Sequence, residues 1–302
     1  MVGCNITALK ASIQTSDLYY DIKLTLTCLS YGINLLLSAP LLLAIIRPPA
    51  LLSKLRFMLL AHLLCCDSLQ LLLLMLQAAL LTSRLGIRLA HCLVFSLASQ
   101  ACCMVDVLLS AALAVDRYVA IKWPLRYELL LSPTRQRVLV LAVWTASLLA
   151  GSVTLYVALK NMQVDLFLPR CRVLLVADCI SEASMLRAFS LAMGALVLPA
   201  CYLTMLACFL LLCRDTRGLL RSHRARVTLA MQAVQMLFYS VPILMDSYLL
   251  PSTLHCDSLD TAAYTIYNLG VSLIPLVYGY RSRELQKRVQ PGALRNHIHL
   301  RQ

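Results

Sequence analysis

Seven stretches of this chain are each apolar over the length needed to cross a bilayer, and that pattern constrains the fold more than any other feature. A spanning helix needs about 20 mainly apolar residues to cross about 30 Å of hydrocarbon. The stretches run approximately over 22–46, 55–82, 89–121, 136–159, 184–213, 225–250 and 260–280. Short polar segments such as RPPALLSK, TSRLGIR and KWPLRYELLLSPTRQR separate them, and Pro48, Pro49, Pro124, Pro133 and Pro251 mark their ends, since proline cannot continue a helix. The expected fold is an all-α membrane protein, a seven-transmembrane helix bundle over 22–280, preceded by a polar segment 1–21 and followed by a tail 281–302. The tail opens on RSRELQKRV, a basic amphipathic stretch that suits a short eighth helix at the membrane interface.

Composition agrees. The chain is 60% hydrophobic and 14% charged, against about 45–50% and about 25% for an ordinary soluble domain. Of 13 cysteines most fall inside the apolar runs, where free Cys behaves as a small hydrophobe. Residues 1–20 lack the apolar central stretch of a signal peptide, so the first spanning helix is expected to act as the signal.

The net charge of +13 fixes the orientation. With the N-terminus outside, the inner side carries Arg47, Lys54, Arg56, Arg117, Lys122, Arg126, Arg135, Arg137, Arg214, Arg217, Arg221, Arg224, Arg226, Arg281, Arg283, Lys287, Arg288, Arg295 and Arg301. The outer side carries the remaining bases, nearly balanced by Asp17, Asp21, Asp165, Asp178, Glu182, Asp257 and Asp260. Lys and Arg accumulate on the cytoplasmic side of membrane proteins, so no nucleic-acid partner is needed to explain the excess. A multi-pass plasma-membrane protein is expected. Asn5-Ile6-Thr7 then lies outside, as a glycosylation acceptor.

The third segment ends in LLSAALAVDRYVAIKWPLRY, residues 108–127. Asp116-Arg117-Tyr118 followed by this run closely resembles the rhodopsin-like (class A) G-protein-coupled receptors, and within them the odorant-receptor-like group found in fish. LRFMLLAHLLCCD, RARVTLAMQAVQ and IPLVYGYRSRELQK strengthen the resemblance, which covers residues 22–290. It implies a receptor, not an enzyme, that passes a ligand signal to a heterotrimeric G protein by an outward swing of the sixth helix. Arg117 is the implied switch cation, with Asp116 its implied partner. Cys92, 25 residues before Arg117, stands where such receptors carry a disulfide to the second outer loop. That loop offers Cys171 and Cys179, and the RCRV context favours Cys171. Trp144 occupies the tryptophan position of the fourth helix. Asn34 and Asp67 match a buried polar pair.

An acid at mid-membrane is expensive and so usually functional. In the family the acid at Asp67 binds an allosteric sodium ion; no other metal or cofactor is implied. Asp106, 11 residues before Arg117, is unusual for the family and should face Asp67. Two carboxylates so close cannot both ionise cheaply, so either one keeps its proton or a cation bridges them. The activation motifs are incomplete. Pro275 and Tyr278 remain from Asn-Pro-x-x-Tyr, with Ile274 replacing the Asn; the sixth segment keeps its kinking Pro242 but has Ser240 where a tryptophan is usual. In the fifth segment Ala207 stands where a tyrosine is expected, and Tyr202 is the candidate substitute.

By register with the family, a ligand pocket in the outer half is lined by Ser99, Gln100, Cys103 and Met104 on the third helix. Asp246 on the sixth and Tyr264, Tyr267 and Asn268 on the seventh face them. A mostly apolar lining with few polar groups suits a small semi-volatile or amphiphilic molecule. Three other readings stand beside an odorant receptor. A non-olfactory receptor for a lipid or small peptide keeps the fold. A seven-helix transporter should show internal repeats, which are not seen. An opsin is excluded, because residues 260–280 contain no Schiff-base lysine. No nucleophile–base spacing or metal-ligand cluster suggests an enzyme.

Overall fold

The computed structural model describes residues 17–82, 87–127, 131–160, 167–168, 183–215 and 257–278, and eight helical positions of the sixth segment (227, 230, 231, 233, 234, 237, 238 and 240). The first to fifth segments fold as helices Asp17–Ile46, Leu55–Thr82, Leu89–Lys122, Pro133–Lys160 and Ala183–Asp215, and the seventh as Asp257–Tyr278. Five of these contain stretches long and apolar enough to cross a membrane. The first helix begins at Asp17, five residues earlier than the hydrophobic run. Pro133 starts the fourth helix instead of merely ending the loop, since its missing N–H is harmless in a first turn. The tail 281–302, and with it the expected eighth helix, lies outside the described residues, as do Asn5, Cys171, Pro242 and Asp246.

The first and fifth helices each turn a row of leucines outward. Leu29, Leu36 and Leu43 recur every seventh residue on the first helix, Leu196, Leu203 and Leu210 on the fifth, and all six are exposed. A surface of this kind is stable only against lipid. The opposite stripe of the first helix, Thr27, Ser30, Asn34, Ser38, Leu41 and Ile45, is buried. Lipid tails are as apolar as leucine, so association relies on close packing and on hydrogen bonds between small polar side chains. Ser272 of the seventh helix donates accordingly to the Ser30 carbonyl at 3.1 Å.

The first helix packs on the second and seventh, the second on the third, and the third on the fourth and fifth. The third is the central post, and its Val105, Leu109 and Leu113 join a core with Leu63, Leu64 and Leu71 of the second. Gly270 lets the seventh helix and the sixth segment approach closely: a Cβ there would stand 2.6 Å from Cβ of Phe238.

Two local findings depart from the sequence expectation. The connection between the first and second helices is not simply polar. Pro49–Leu52 forms a helical turn that tucks Leu51 into the core at 2% exposure. Between the second and third helices, Ile87–Arg88 pairs antiparallel with Phe167–Leu168, a two-residue ribbon among the described residues.

Candidate functional site

Asp116 and Arg117 lie near the C-terminal end of the third helix. Asp116 is buried and Arg117 half-buried. Arg117 attracts the Asp116 carboxyl electrostatically, and Asp116 has a hydrogen-bond partner that the sequence did not suggest. The Tyr127 hydroxyl donates to Asp116 Oδ1 at 2.5 Å from the far side of the Pro124 turn. Arg56, at the start of the second helix, adds a smaller attraction. Burial first, and then the bond to Asp116, push the Tyr127 phenol well above its usual value, with Arg56 opposing. Tyr127 therefore stays a proton donor at physiological pH. Tyr118 packs edge-on against Trp123, with the Lys122 ammonium over both rings at 5.4 and 5.6 Å.

Deeper in the bundle lies a polar layer. Asn34, Asp67 and Asp106 are each 0% exposed. Asn34 Oδ1 accepts from Ser68 at 2.9 Å and Ser38 at 3.2 Å, which ties the first helix to the second. The carboxyls of Asp67 and Asp106 lie close enough to repel each other. Neither oxygen of Asp106 has a nitrogen or oxygen partner. The neighbouring Cys66 thiol reaches the Cys102 carbonyl at 3.4 Å. Ser110 Oγ, one turn from Asp106, is likewise buried and unpartnered. Among the described residues no group of three or more His, Cys, Asp or Glu is arranged for a metal ion.

Of the residues expected to line the outer half, Ser99, Gln100, Cys103 and Met104 are all half-buried on the third helix. Tyr267 and Asn268 are buried on the seventh. Gln70 of the second helix joins two of them, donating to Ser99 Oγ at 2.6 Å and to the Tyr267 hydroxyl at 2.9 Å. Its register, one turn outward of Asp67, was the only sequence signal. Tyr264 is engaged with the first helix, through Thr27 at 2.8 Å and the Lys23 ammonium 4.7 Å from its ring. Asn268 donates to the Tyr264 carbonyl at 2.8 Å. Tyr202 meets Ser240 at 2.7 Å, which joins the fifth helix to the sixth segment. Cys92 is buried and disulfide-bonded, its partner outside the described residues. Pro275 is buried within the seventh helix, which ends at Tyr278. His62 meets the Trp144 ring edge-on at 6.4 Å, a packing contact.

Residues 39–277 match the family described as 7 transmembrane receptor (rhodopsin family). Three human proteins are similar. Olfactory receptor 13J1 of Homo sapiens is 29% identical over 222 residues, 69% of each chain. Olfactory receptor 2M4 is 27% identical, covering 60% of this chain and 61% of the relative. Olfactory receptor 10G4 is 27% identical and covers 60% of each.

Proposed function

This chain belongs to the rhodopsin family of seven-transmembrane receptors, a multi-pass membrane protein and not an enzyme, and on that premise we propose that it is an odorant receptor. It binds a small molecule in the outer half of the bundle, at the plasma membrane with its N-terminus outside, and activates a heterotrimeric G protein. The observation that carries this reading is the Asp116-Arg117-Tyr118 triplet, seated at the inner end of the central helix with Asp116 buried and hydrogen-bonded by Tyr127. The likeness to three olfactory receptors supports the chemosensory role.

The mechanism follows from the charges. Asp116 and the Tyr127 bond hold the inner ends of the third helix and its following loop together. Separation of Arg117 from Asp116 presents a fixed cation to an incoming partner. Ligand shifts that balance only by binding the two states unequally. Pro242, Pro275 and Tyr278 complete the implied switch. Cys92 pairs with Cys171, and Asn5 carries a glycan. Sodium at Asp67 and Asp106, with Asn34 in the adjoining polar network, stabilises the resting state. The buried oxygens of Asp106 and Ser110, without a nitrogen or oxygen partner, fit that role.

The test is a second-messenger readout in transfected cells against odorants, amines, steroids and lipids, beside Arg117→Ala. A response abolished in the variant at equal surface expression supports a G-protein-coupled receptor. A response that survives intact removes Arg117 from the switch.

A further inference from the structure

Gln70 is 2% exposed, and its carboxamide is half satisfied. The nitrogen gives its protons to Ser99 Oγ at 2.6 Å and to the Tyr267 hydroxyl at 2.9 Å. The oxygen, Oε1, is buried and has no partner. A buried amide oxygen without a donor is destabilising, and a donor from outside the chain would relieve that cost. Ser99 supplies the complementary half. Its oxygen accepts from Gln70, its own proton is unspent, and it is half-buried where Gln70 is sealed. One acceptor and one donor therefore sit side by side at the junction of the second, third and seventh helices. Gln100, the next residue on the third helix, adds another buried oxygen without a partner.

The charge around this point narrows what it accepts. Asp67 lies one turn inward of Gln70 on the same helix, and both Asp67 and Asp106 act electrostatically on Tyr267. An anionic ligand is repelled. An ammonium has no acceptor to offer the Ser99 proton. An ether or aldehyde leaves Gln70 Oε1 empty, since neither has a proton to give. A hydroxyl both gives and takes. The nearby third-helix side chains Cys103 and Met104 are half-buried and largely apolar, which suits a hydrocarbon body behind that hydroxyl.

We propose that Gln70 and Ser99 form the recognition point for the hydroxyl of an aliphatic alcohol, which donates to Gln70 Oε1 and accepts from Ser99 Oγ. This rests on the receptor reading above and names the ligand class and a specificity-determining residue within it.

The experiment compares alcohols from hexanol to dodecanol, straight, branched and cyclic, with their methyl ethers and with the matching primary amines. Binding is read directly as thermal stabilisation of the purified full-length receptor, and signalling as second messenger in cells, for wild type, Gln70→Met and Ser99→Ala. At least one alcohol should bind about 10- to 100-fold more tightly than its ether, the factor set by one satisfied buried group. Gln70→Met should remove that discrimination, bringing an alcohol and its ether to equal affinity. Ser99→Ala, which leaves the Gln70 side chain in place, should reduce it. Equal binding of alcohols and ethers, preference for amines, or no stabilisation by any alcohol overturns the proposal. Alcohol binding that gives no Arg117-dependent signal keeps this site and overturns the receptor reading instead. Ligand-driven signalling indifferent to the hydroxyl does the reverse.

Discussion

Gly270→Ala tests how closely the seventh helix and the sixth segment are packed. The added methyl would stand 2.6 Å from Phe238 Cβ and 3.4 Å from Cγ, where two carbons prefer about 3.5–4.0 Å. Because the clash is with Cβ and not with the end of a flexible chain, rotamer change in Phe238 cannot relieve it. The backbones must separate by about 1 Å, which overpacking experience places at about 1–3 kcal/mol of destabilisation. Gly151→Ala is the internal control: its methyl would meet Ala101 Cβ and the Leu97 carbonyl oxygen at 3.6 Å each, ordinary contact, with an expected change within about 0.5 kcal/mol. The assay is thermal denaturation of the purified receptor. Gly270→Ala should lower the midpoint clearly while Gly151→Ala leaves it nearly unchanged. Phe238→Ala should not relieve the clash fully, because its Cβ remains, whereas Phe238→Gly should recover most of the loss in a double-mutant cycle. Equal midpoints for the two glycine variants, or no coupling between Gly270→Ala and Phe238→Gly, would refute the close-approach reasoning. An outward swing of the sixth helix would break this same contact, so Gly270→Ala should also raise basal signalling.

Other outcomes are expected. Tyr127→Phe removes a hydrogen bond to a buried carboxyl, worth about 1.5–3 kcal/mol when the acceptor is charged, and should raise ligand-independent second-messenger output at matched surface expression. Asp106→Ser should abolish the sodium dependence of the ligand response; an unchanged dose–response between sodium and an inert cation would sink the sodium assignment. Leu51→Ala empties a nearly sealed site in the inner turn and should destabilise by about 2–5 kcal/mol, seen as loss of surface receptor and a lower denaturation midpoint.

By itself the sequence determined that the chain is a bundle of membrane-spanning helices, and where the five described spans run. The reason is that a bilayer imposes a length and a hydropathy on any chain crossing it, and both are local properties read along one dimension. The Asp116-Arg117-Tyr118 run is local too. What was decided only in three dimensions was the rotation of each helix and hence the partner each polar group finds. Asp116 and Tyr127 are 11 residues apart across a proline turn, and nothing in the run indicates that the loop folds back. Gln70 reaches Tyr267 across 197 residues, and Tyr202 reaches Ser240 across 38. Hydropathy treats Leu51 in a basic loop and Leu125 beyond it alike, yet one is sealed in the core and the other is 94% exposed. Hydrogen bonds and close packing between helices are set by which stripes meet, and a stripe is visible in sequence while its partner is not.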